Sequence, residues 1–190
     1  MKVYENHTFS IPKLLIFNSI SDEIFQKITA CIRLAVPYTG MIVSTRETAE
    51  SRAKVLELGV SQISGGSRTS VGGYTEEVRH NETAQFDVSD ERTLDEVVSW
   101  LLDLGCIPSF CTACYREGRT GDRFMSLCKT GQIQNCCHPN ALMTLKEYLM
   151  DYASPKTKEI GEKMIRDQLK YIPMDKVRKI CEERLDKIEN

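Results

Sequence analysis

Residues 41–64 read MIVSTRETAESRAKVLELGVSQIS. The spacing of apolar residues in this segment changes from one typical of strands to one typical of a helix, and back again. Residues 41–46 form a β-branched apolar run that is typical of a buried strand, and residues 60–64 predict a second strand. The helix predicted between them is capped by Thr48 and ends at Gly59. Strand, helix and strand with short links predict parallel pairing, as in an α/β sheet or a segment of a (β/α) barrel.

The sequence on either side of this segment predicts two more helices and a third strand. Upstream, residues 21–36 carry an apolar face that we expect to point inward, formed by Ile24, Ile28, Cys31, Ile32 and Ala35. Downstream, a capping box formed by Thr93 and Glu96 opens a helix that ends at Gly105. Residues 107–110 predict a third strand, which leads directly into a group of cysteines.

The character of the sequence changes beyond these cysteines. Residues 139–190 contain three helical patterns, and Ser154 followed by Pro155 is a typical helix start. We therefore predict two regions: an α/β region in residues 1–110, which is part of a parallel sheet or of a (β/α) barrel, and an α-helical region in residues 111–190 that contains the cysteine site.

Composition limits the class of protein. The chain has 190 residues, enough for one domain with its own core, and a formal net charge of -2 with mixed signs. This balance argues against a nucleic-acid-binding surface. The sequence shows neither an apolar run long enough to span a membrane nor the apolar core of a signal peptide, so we expect a cytoplasmic protein. Eight cysteines in a reducing compartment favour metal binding or catalysis over disulfides.

Five of the eight cysteines lie in residues 111–137. Cys111 and Cys114 form a CX2C pair, whose spacing lets both thiolates reach one metal. A thioredoxin-like redox pair is disfavoured because the residues after Cys114 predict little helix. Zinc needs four ligands, and an iron–sulfur cluster can be held by three cysteines. The remaining zinc ligands would come from Cys128, Cys136, Cys137 or His138.

Thiols that simply pack in the interior are the alternative to any metal site. The cysteines outside this region, Cys31, Cys106 and Cys181, lie on apolar faces, and we predict that they are core residues. We expect the same packing role for Cys128. The spacing of the remaining cysteines leaves both zinc and an iron–sulfur cluster open.

Five blocks of the sequence resemble, in order, the FeFe-hydrogenase maturation tyrosine lyases of the HydG type. The blocks are AVPYTGMIVSTRE, LGVSQISGGSRT, VGGY, SFCTACYREGRTGDRFM and CHPNALMTLKEYLMDYAS, and the likeness runs from about His7 to about Ser154. This family belongs to the radical SAM (S-adenosyl-L-methionine) enzymes and is related to the thiamine-pathway 2-iminoacetate synthases. The resemblance implies that this sequence holds the C-terminal part of a (β/α) barrel, followed by a helical region that binds a cluster.

The resemblance also implies an activity and a cofactor. Family members use a SAM-derived radical to cleave tyrosine to p-cresol and dehydroglycine, which is broken down to CO and cyanide for the hydrogenase H-cluster. The breakdown takes place on an auxiliary 4Fe–4S cluster bound by a CX2CX22C motif, which falls here on Cys111, Cys114 and Cys137. An extra iron beside that cluster would be bound by His7, in ENHTFSIPK. Cys136 is not part of the motif, and we expect its side chain to point away from that of Cys137.

Two polar residues at the end of the first predicted strand are candidates for substrate binding. The resemblance implies that Ser44 and Arg46 bind the carboxylate of tyrosine, for which Arg is a natural bidentate partner. The simpler alternative is a surface ion pair between Arg46 and a nearby glutamate. Arg68, in the following Gly-rich loop, is a further candidate for a polar contact at the mouth of the barrel.

The sequence lacks the family's CX3CX2C motif, which binds the cluster that cleaves SAM. We therefore expect no SAM cleavage by this chain alone, a partner chain with the N-terminal radical SAM half, and hydrogenase maturation proteins as further partners. The alternatives are a non-catalytic iron–sulfur or zinc module, a decayed fragment, and a protein of thiamine synthesis. An incomplete barrel would expose strand edges and an apolar sheet face, so we also expect the chain to self-associate.

Overall fold

The computed structural model describes residues 20–69, 73–74, 88–119 and 121–189. Most of this part of the chain is helical, with two short strands. In chain order the elements are α1 Asp22–Ala35, β1 Ile42–Val43, α2 Ala49–Glu57, β2 Gln62–Ile63, α3 Leu94–Asp103, α4 Ala113–Arg116, α5 Asp122–Lys129, α6 Ile133–Asp151, α7 Pro155–Leu169 and α8 Asp175–Glu189.

The two strands are parallel, as the sequence predicts. Ile42 is opposite Gln62 and Val43 is opposite Ile63, and the N–H of Gln62 donates to the carbonyl of Met41 at 2.9 Å. Both strands are shorter than the apolar runs that predict them. The helix between them has the predicted start, since the hydroxyl of Thr48 accepts the N–H of Ser51.

The prediction of a third strand at residues 107–110 is wrong. This segment has no regular structure and lies along α6, with Ile107 packed against the larger hydrophobic core and Phe110 stacked on Tyr148. Its apolar side chains pack on helices rather than in a sheet. Pro108 also lacks the N–H that a central strand position would donate.

Two hydrophobic cores organise the described residues. The smaller core lies between the strands and α2, and consists of Val43, Val55 and Val60 with Phe25, Met41, Leu56 and Ile63 packed against it. The larger core joins α3 to α6, α7 and α8, and consists of Val98, Leu102, Leu142, Leu145, Tyr148, Leu149, Ile165, Ile172, Cys181 and Leu185. Because α3 shares this core with the C-terminal helices, they hold the segment between them, residues 104–132, at both ends.

The three predicted C-terminal helices are confirmed as α6, α7 and α8. α6 begins at Ile133 rather than at Pro139, so that Cys136 and Cys137 lie in its first turns. α7 begins as predicted, with the hydroxyl of Ser154 accepting the N–H of Thr157 and Pro155 as its first residue. The division of the chain at residue 110 stays a prediction.

The inward face predicted for α1 is wrong. Ile24, Ile28 and Ile32 are 48%, 45% and 43% exposed, and Cys31 is exposed as well. Instead, the helix buries Thr29 and packs Phe25 on the smaller core. Its apolar stripe is therefore wider than the face that α2 and the strands cover.

The other two cysteines predicted to be core residues differ in burial. Cys181 is buried in the larger core, as predicted, whereas Cys106 is half-buried. Among the helices that the structure describes, none combines the length and apolarity that crossing a bilayer requires.

Candidate functional site

The CX2C pair lies on a loop and a single helical turn. Cys111 is exposed and Cys114 is half-buried in the short helix α4. The sulfur of Cys111 accepts the N–H of Ala113 at 3.4 Å, and its own N–H donates to the hydroxyl of Ser109. These two hydrogen bonds fix the backbone on either side of the Cys111 sulfur.

Cys137 is half-buried in the first turns of α6. Burial, a hydrogen bond with Cys136, and the negative charges of Cys136, Cys114 and Cys111 together raise the pKa of Cys137 to about 12. Repulsion of this kind between thiolates is what a bound cation relieves.

Cys136 does not point away from Cys137, and that prediction is wrong. The sulfurs of Cys136 and Cys137 are 3.7 Å apart, and the thiol of Cys136 donates to the carbonyl of Gln132 at 3.2 Å. Side chains on a helix lean toward its N-terminus, which brings neighbouring thiols at the start of α6 over the same turn. Two thiols therefore lie side by side at the start of α6.

Within the described residues, no three His, Cys, Asp or Glu side chains converge as a ready-made metal site. The cysteines of residues 111–137 have the chemistry to bind an iron–sulfur cluster or a zinc ion, because thiolates are ligands of both. The assignment of Cys111, Cys114 and Cys137 as ligands stays a prediction. The predicted iron ligand His7 lies outside the described residues.

Arg119 is a cation beside these thiols that the sequence analysis missed. A hydrogen bond with the Cys114 thiolate is the main cause that raises the pKa of Arg119, and the charges of Glu117 and Cys136 add to it. Its backbone N–H donates to the carbonyl of Cys114 at 2.9 Å, across a turn that Gly118 makes at a φ of 60°. A basic residue five positions after a CX2C pair is the signal that could have found it.

A pocket of about 380 Å³ adjoins Cys137. It is lined by Ile107, Ser109, Ile133, Gln134, Cys137, His138 and Ala141. The imidazole Nε2 of His138 lies 3.1 Å from the carbonyl of Gln168, which ties α6 to α7. That contact occupies one ring nitrogen of His138, which the sequence analysis had considered as a zinc ligand.

The two residues predicted to bind substrate lie together at the carboxyl end of β1. Ser44 and Arg46 line a pocket of about 320 Å³ together with Thr45, Ser67, Arg68, Thr69 and Val88. The hydroxyl of Ser44 accepts the backbone N–H of Arg46 at 3.3 Å. Two guanidinium groups and several hydroxyls give this pocket the chemistry of an anion-binding site. Substrate binding by Ser44 and Arg46 stays a prediction.

A buried charge network behind this pocket was also missed. The carboxylate of Asp90 accepts a hydrogen bond from the guanidinium of Arg52. It also accepts from Nε and Nη2 of Arg92, at 2.8 and 2.6 Å respectively. The backbone N–H of Asp90 donates to the carbonyl of Thr45 at 2.9 Å, so the network holds the end of β1. The hydrogen bonds from Arg92, and then the charge of Arg52, lower the pKa of Asp90.

Comparison with known proteins places the chain in a family. Residues 11–107, just over half of the chain, match the model of the Biotin and Thiamin Synthesis associated domain. The chain belongs to this family.

Among curated proteins, the 2-iminoacetate synthases of Escherichia coli (strain K12) and Salmonella typhimurium (strain LT2) are each 35% identical to the chain over 91 residues. Each match covers 47% of this chain and 24% of the relative.

Two solved structures extend the likeness over most of the chain. A HydG maturase of the FeFe-hydrogenase is 54% identical, with a TM-score of 0.81, and the match covers 90% of this chain and 37% of that one. HydG from Carboxydothermus hydrogenoformans is 38% identical, with a TM-score of 0.66, over 88% of this chain and 34% of that one. These matches confirm the resemblance to the HydG type, and the chain spans little more than a third of either HydG structure.

Proposed function

We propose that this chain provides the auxiliary-cluster part of a HydG-type radical SAM tyrosine lyase, where CO and cyanide are made for assembly of the hydrogenase H-cluster. The observation that carries the proposal is the identity of 54% to a HydG maturase over 90% of the chain. The CX2CX22C spacing of Cys111, Cys114 and Cys137, which matches the motif of that family, supports it. The thiamine-pathway alternative rests on the lower identity of 35% over 47% of the chain.

Each residue of the site has a stated role in this proposal. Cys111, Cys114 and Cys137 hold a 4Fe–4S cluster, which when bound supplies an iron that three cysteines leave open to a further ligand. The N–H of Ala113 and the guanidinium of Arg119 donate toward the sulfurs of Cys111 and Cys114 and stabilise their negative charge. His7 would bind an extra iron beside the cluster.

Substrate binding is proposed at the carboxyl end of β1, with Ser44 and Arg46 holding the carboxylate of tyrosine. The pocket lined by both residues, with Arg68 beside them, supports this role. In the proposal, the parallel strands β1 and β2 belong to a (β/α) barrel, at the carboxyl end of which such enzymes bind their ligands.

The radical step is proposed to need a partner region that carries the CX3CX2C motif, and other hydrogenase maturation proteins would take up the products. We propose the cytoplasm as the location, because eight cysteines without a disulfide among the described residues suit a reducing compartment. The purified, reconstituted chain should form no 5′-deoxyadenosine from SAM. Formation of 5′-deoxyadenosine by this chain without a partner would contradict the proposal that the radical step needs a partner region.

Anaerobic reconstitution with iron and sulfide tests the cluster directly. The chain should acquire the broad visible absorption of an iron–sulfur cluster, with iron and sulfide bound in equal numbers. Replacement of Cys111, Cys114 or Cys137 by Ala should abolish this absorption, and the matched variant Cys128→Ala should keep it. Loss of the absorption in Cys128→Ala together with its retention in Cys137→Ala would show that the ligand assignment is wrong.

A non-catalytic zinc module is the second candidate, and one distance favours it. Two thiolates on one tetrahedral zinc, each about 2.3 Å from the metal, lie about 3.8 Å apart. The sulfurs of Cys136 and Cys137 are already 3.7 Å apart. If this candidate is correct, Cys136→Ala weakens zinc binding as much as Cys137→Ala does, whereas the cluster proposal predicts that Cys136→Ala keeps its iron and sulfide.

A further inference from the structure

The residues just before Cys111 lie beside α6. Ile107 and Ser109 line the same pocket as Cys137 of α6. The ring of Phe110 stacks on the ring of Tyr148, with centroids 4.9 Å apart and planes inclined by 16°. The segment that carries the CX2C pair therefore lies against the same helix that carries the third thiol.

Tyr148, on which Phe110 stacks, is held in place by burial and by a hydrogen bond; we call it the platform. Its side chain is 7% exposed, and its hydroxyl donates to a carboxylate oxygen of Asp95 at 3.4 Å. The second oxygen of Asp95 accepts the hydroxyl of Thr157 at 3.0 Å. Burial, and then the charge and hydrogen bond of Asp95, raise the pKa of Tyr148 to about 12, so that the hydroxyl stays a donor at neutral pH. The platform thus joins α3, α6 and α7.

Phe110 itself contributes little to the hydrophobic core. It is 42% exposed, and it immediately precedes Cys111 in the chain. A half-exposed aromatic ring held on a buried tyrosine, one peptide bond from a candidate ligand, is placed to control where that ligand sits.

We propose that Phe110 is a positioning residue: its stack on Tyr148 sets the distance between the thiols of Cys111 and Cys114 and the thiol of Cys137. The importance of this distance for a bound cluster rests on the proposed function. The distance itself is a property of the metal-free chain. It can be measured whether or not the chain binds a cluster.

Cross-linking of thiols in the metal-free full-length chain tests the proposal. A short bifunctional maleimide is added anaerobically, and mass spectrometry of peptides follows the rate at which Cys111 or Cys114 is joined to Cys137. An aromatic pair is worth a factor of about two to ten, so Phe110→Leu should slow this cross-link by about that factor. Phe110→Tyr, which keeps the ring, should cross-link at the wild-type rate.

Tyr152→Leu is the matched control. The Tyr152 ring also contacts Tyr148, at 5.9 Å between centroids, but it is 75% exposed and far from the cysteines in sequence. Tyr152→Leu should therefore leave the cross-linking rate of Cys111 or Cys114 with Cys137 unchanged. After reconstitution, the cluster of Phe110→Leu should pass to an iron chelator about two to ten times faster than that of the wild type, with a thermal midpoint close to that of Tyr152→Leu.

Three results would overturn the proposal: an unchanged cross-linking rate in Phe110→Leu, an equal loss in Tyr152→Leu, or an equal loss in Phe110→Tyr. Should Phe110→Leu lose helical content, Phe110→Met replaces it in the same comparison. A wild-type chain that acquires no cluster but shows the expected cross-linking pattern would contradict the proposed function and leave the positioning role standing. If instead the wild-type chain acquires a cluster but Phe110→Leu and Tyr152→Leu cross-link at the same rate, the positioning role is wrong and the proposed function stands.

Discussion

At the scale of single residues, Cys137 at the start of α6 is distinguished by the low acidity of its thiol. Cys137 has a pKa of about 12, raised first by burial and then by Cys136 and the CX2C pair. An ordinary cysteine has a pKa of about 8.5. Because the thiolate is the nucleophile, a raised pKa means less reactive thiolate at a given pH.

We predict that Cys137 is alkylated by iodoacetamide far more slowly than the exposed Cys31 at mildly alkaline pH. Cys136→Ala should speed up the reaction of Cys137, because it removes the nearest hydrogen-bond partner and the nearest negative charge. Peptide mass spectrometry over a range of pH measures both rates. Equal rates at Cys137 and Cys31, or no effect of Cys136→Ala, would contradict the prediction.

The carboxylate of Asp90 gives a second prediction at this scale. Its side chain is 2% exposed, that of Arg52 is 0% exposed, and the two form an ion pair. Removing one partner of a buried pair leaves an uncompensated charge and costs about 3–5 kcal/mol. Asp90→Asn should therefore lower the free energy of unfolding at neutral pH by about that amount, whereas Asp103→Asn, at an exposed position, should change it little.

The pH dependence of this effect has a definite sign. The pKa of Asp90 is lowered in the folded chain, mainly by hydrogen bonds from Arg92, relative to about 3.9 in the unfolded chain. The stabilisation is therefore present in full above the unfolded pKa and is lost as the pH falls through the lower, folded value. Urea unfolding from neutral to acid pH should show the difference between wild type and Asp90→Asn shrinking below about pH 4. A difference that is constant with pH would contradict the assignment.

At the scale of elements, the close approach of α6 and α7 depends on Gly161. A Cβ added there would lie 2.5 Å from Cδ1 and 2.6 Å from Cδ2 of Leu149, which is 1% exposed. Glycine in a helix interior costs about 1 kcal/mol relative to alanine, whereas overpacking a core costs about 1–3 kcal/mol. The packing effect is the larger of the two.

We predict that Gly161→Ala lowers the free energy of unfolding by up to about 2 kcal/mol, which is the packing cost less the gain in helix propensity. In a Leu149→Ala background the same change should be neutral or stabilising, because the methyl group then has room. A double-mutant cycle in urea separates the two effects. Stabilisation by Gly161→Ala in the wild-type background would show that the helices move apart at little cost.

The element scale also shows what the sequence could predict. Helix starts at Thr48, Thr93 and Ser154 follow from local hydrogen bonds between a hydroxyl and a nearby N–H, so they can be found from the sequence. The parallel pairing of β1 and β2 follows from the helix between them. The strand predicted at residues 107–110 failed because an apolar run does not reveal whether a sheet or a helix will cover it.

The sequence indicates where the candidate site lies but not its geometry. The crowding of cysteines in residues 111–137 is visible in the sequence, and the resemblance to the HydG type, not the spacing alone, points to three of them as ligands, which stays a prediction. The convergence of Cys136 with Cys137 depends on side-chain rotamers, and the approach of Arg119 depends on the turn at Gly118. The network of Asp90 joins residues that are 38 positions apart, a separation at which sequence patterns carry no signal.

At the scale of the whole molecule, one apolar surface is not used by the described residues. α1 exposes Ile24, Ile28 and Ile32 along a single stripe, and β1 exposes 66% of Ile42. Contiguous apolar patches of this kind are uncommon on monomeric proteins and mark sites of association. Within the described part of the chain, β1 pairs with β2 along one edge, and no other described strand pairs with its second edge.

We predict that the chain on its own self-associates through the stripe on α1. Sedimentation velocity should show species larger than a 21.6 kDa monomer, growing with concentration. The double variant Ile24→Lys, Ile28→Lys should shift the distribution toward the monomer, because it places two charges on the stripe without touching the smaller core. Tyr152→Lys, at a residue that is 75% exposed on α6's C-terminal side, is the matched control and should leave the distribution unchanged. A wild-type chain that sediments as a single monomer at all concentrations would show that the stripe is tolerated in water, and the double variant would then be expected to change nothing.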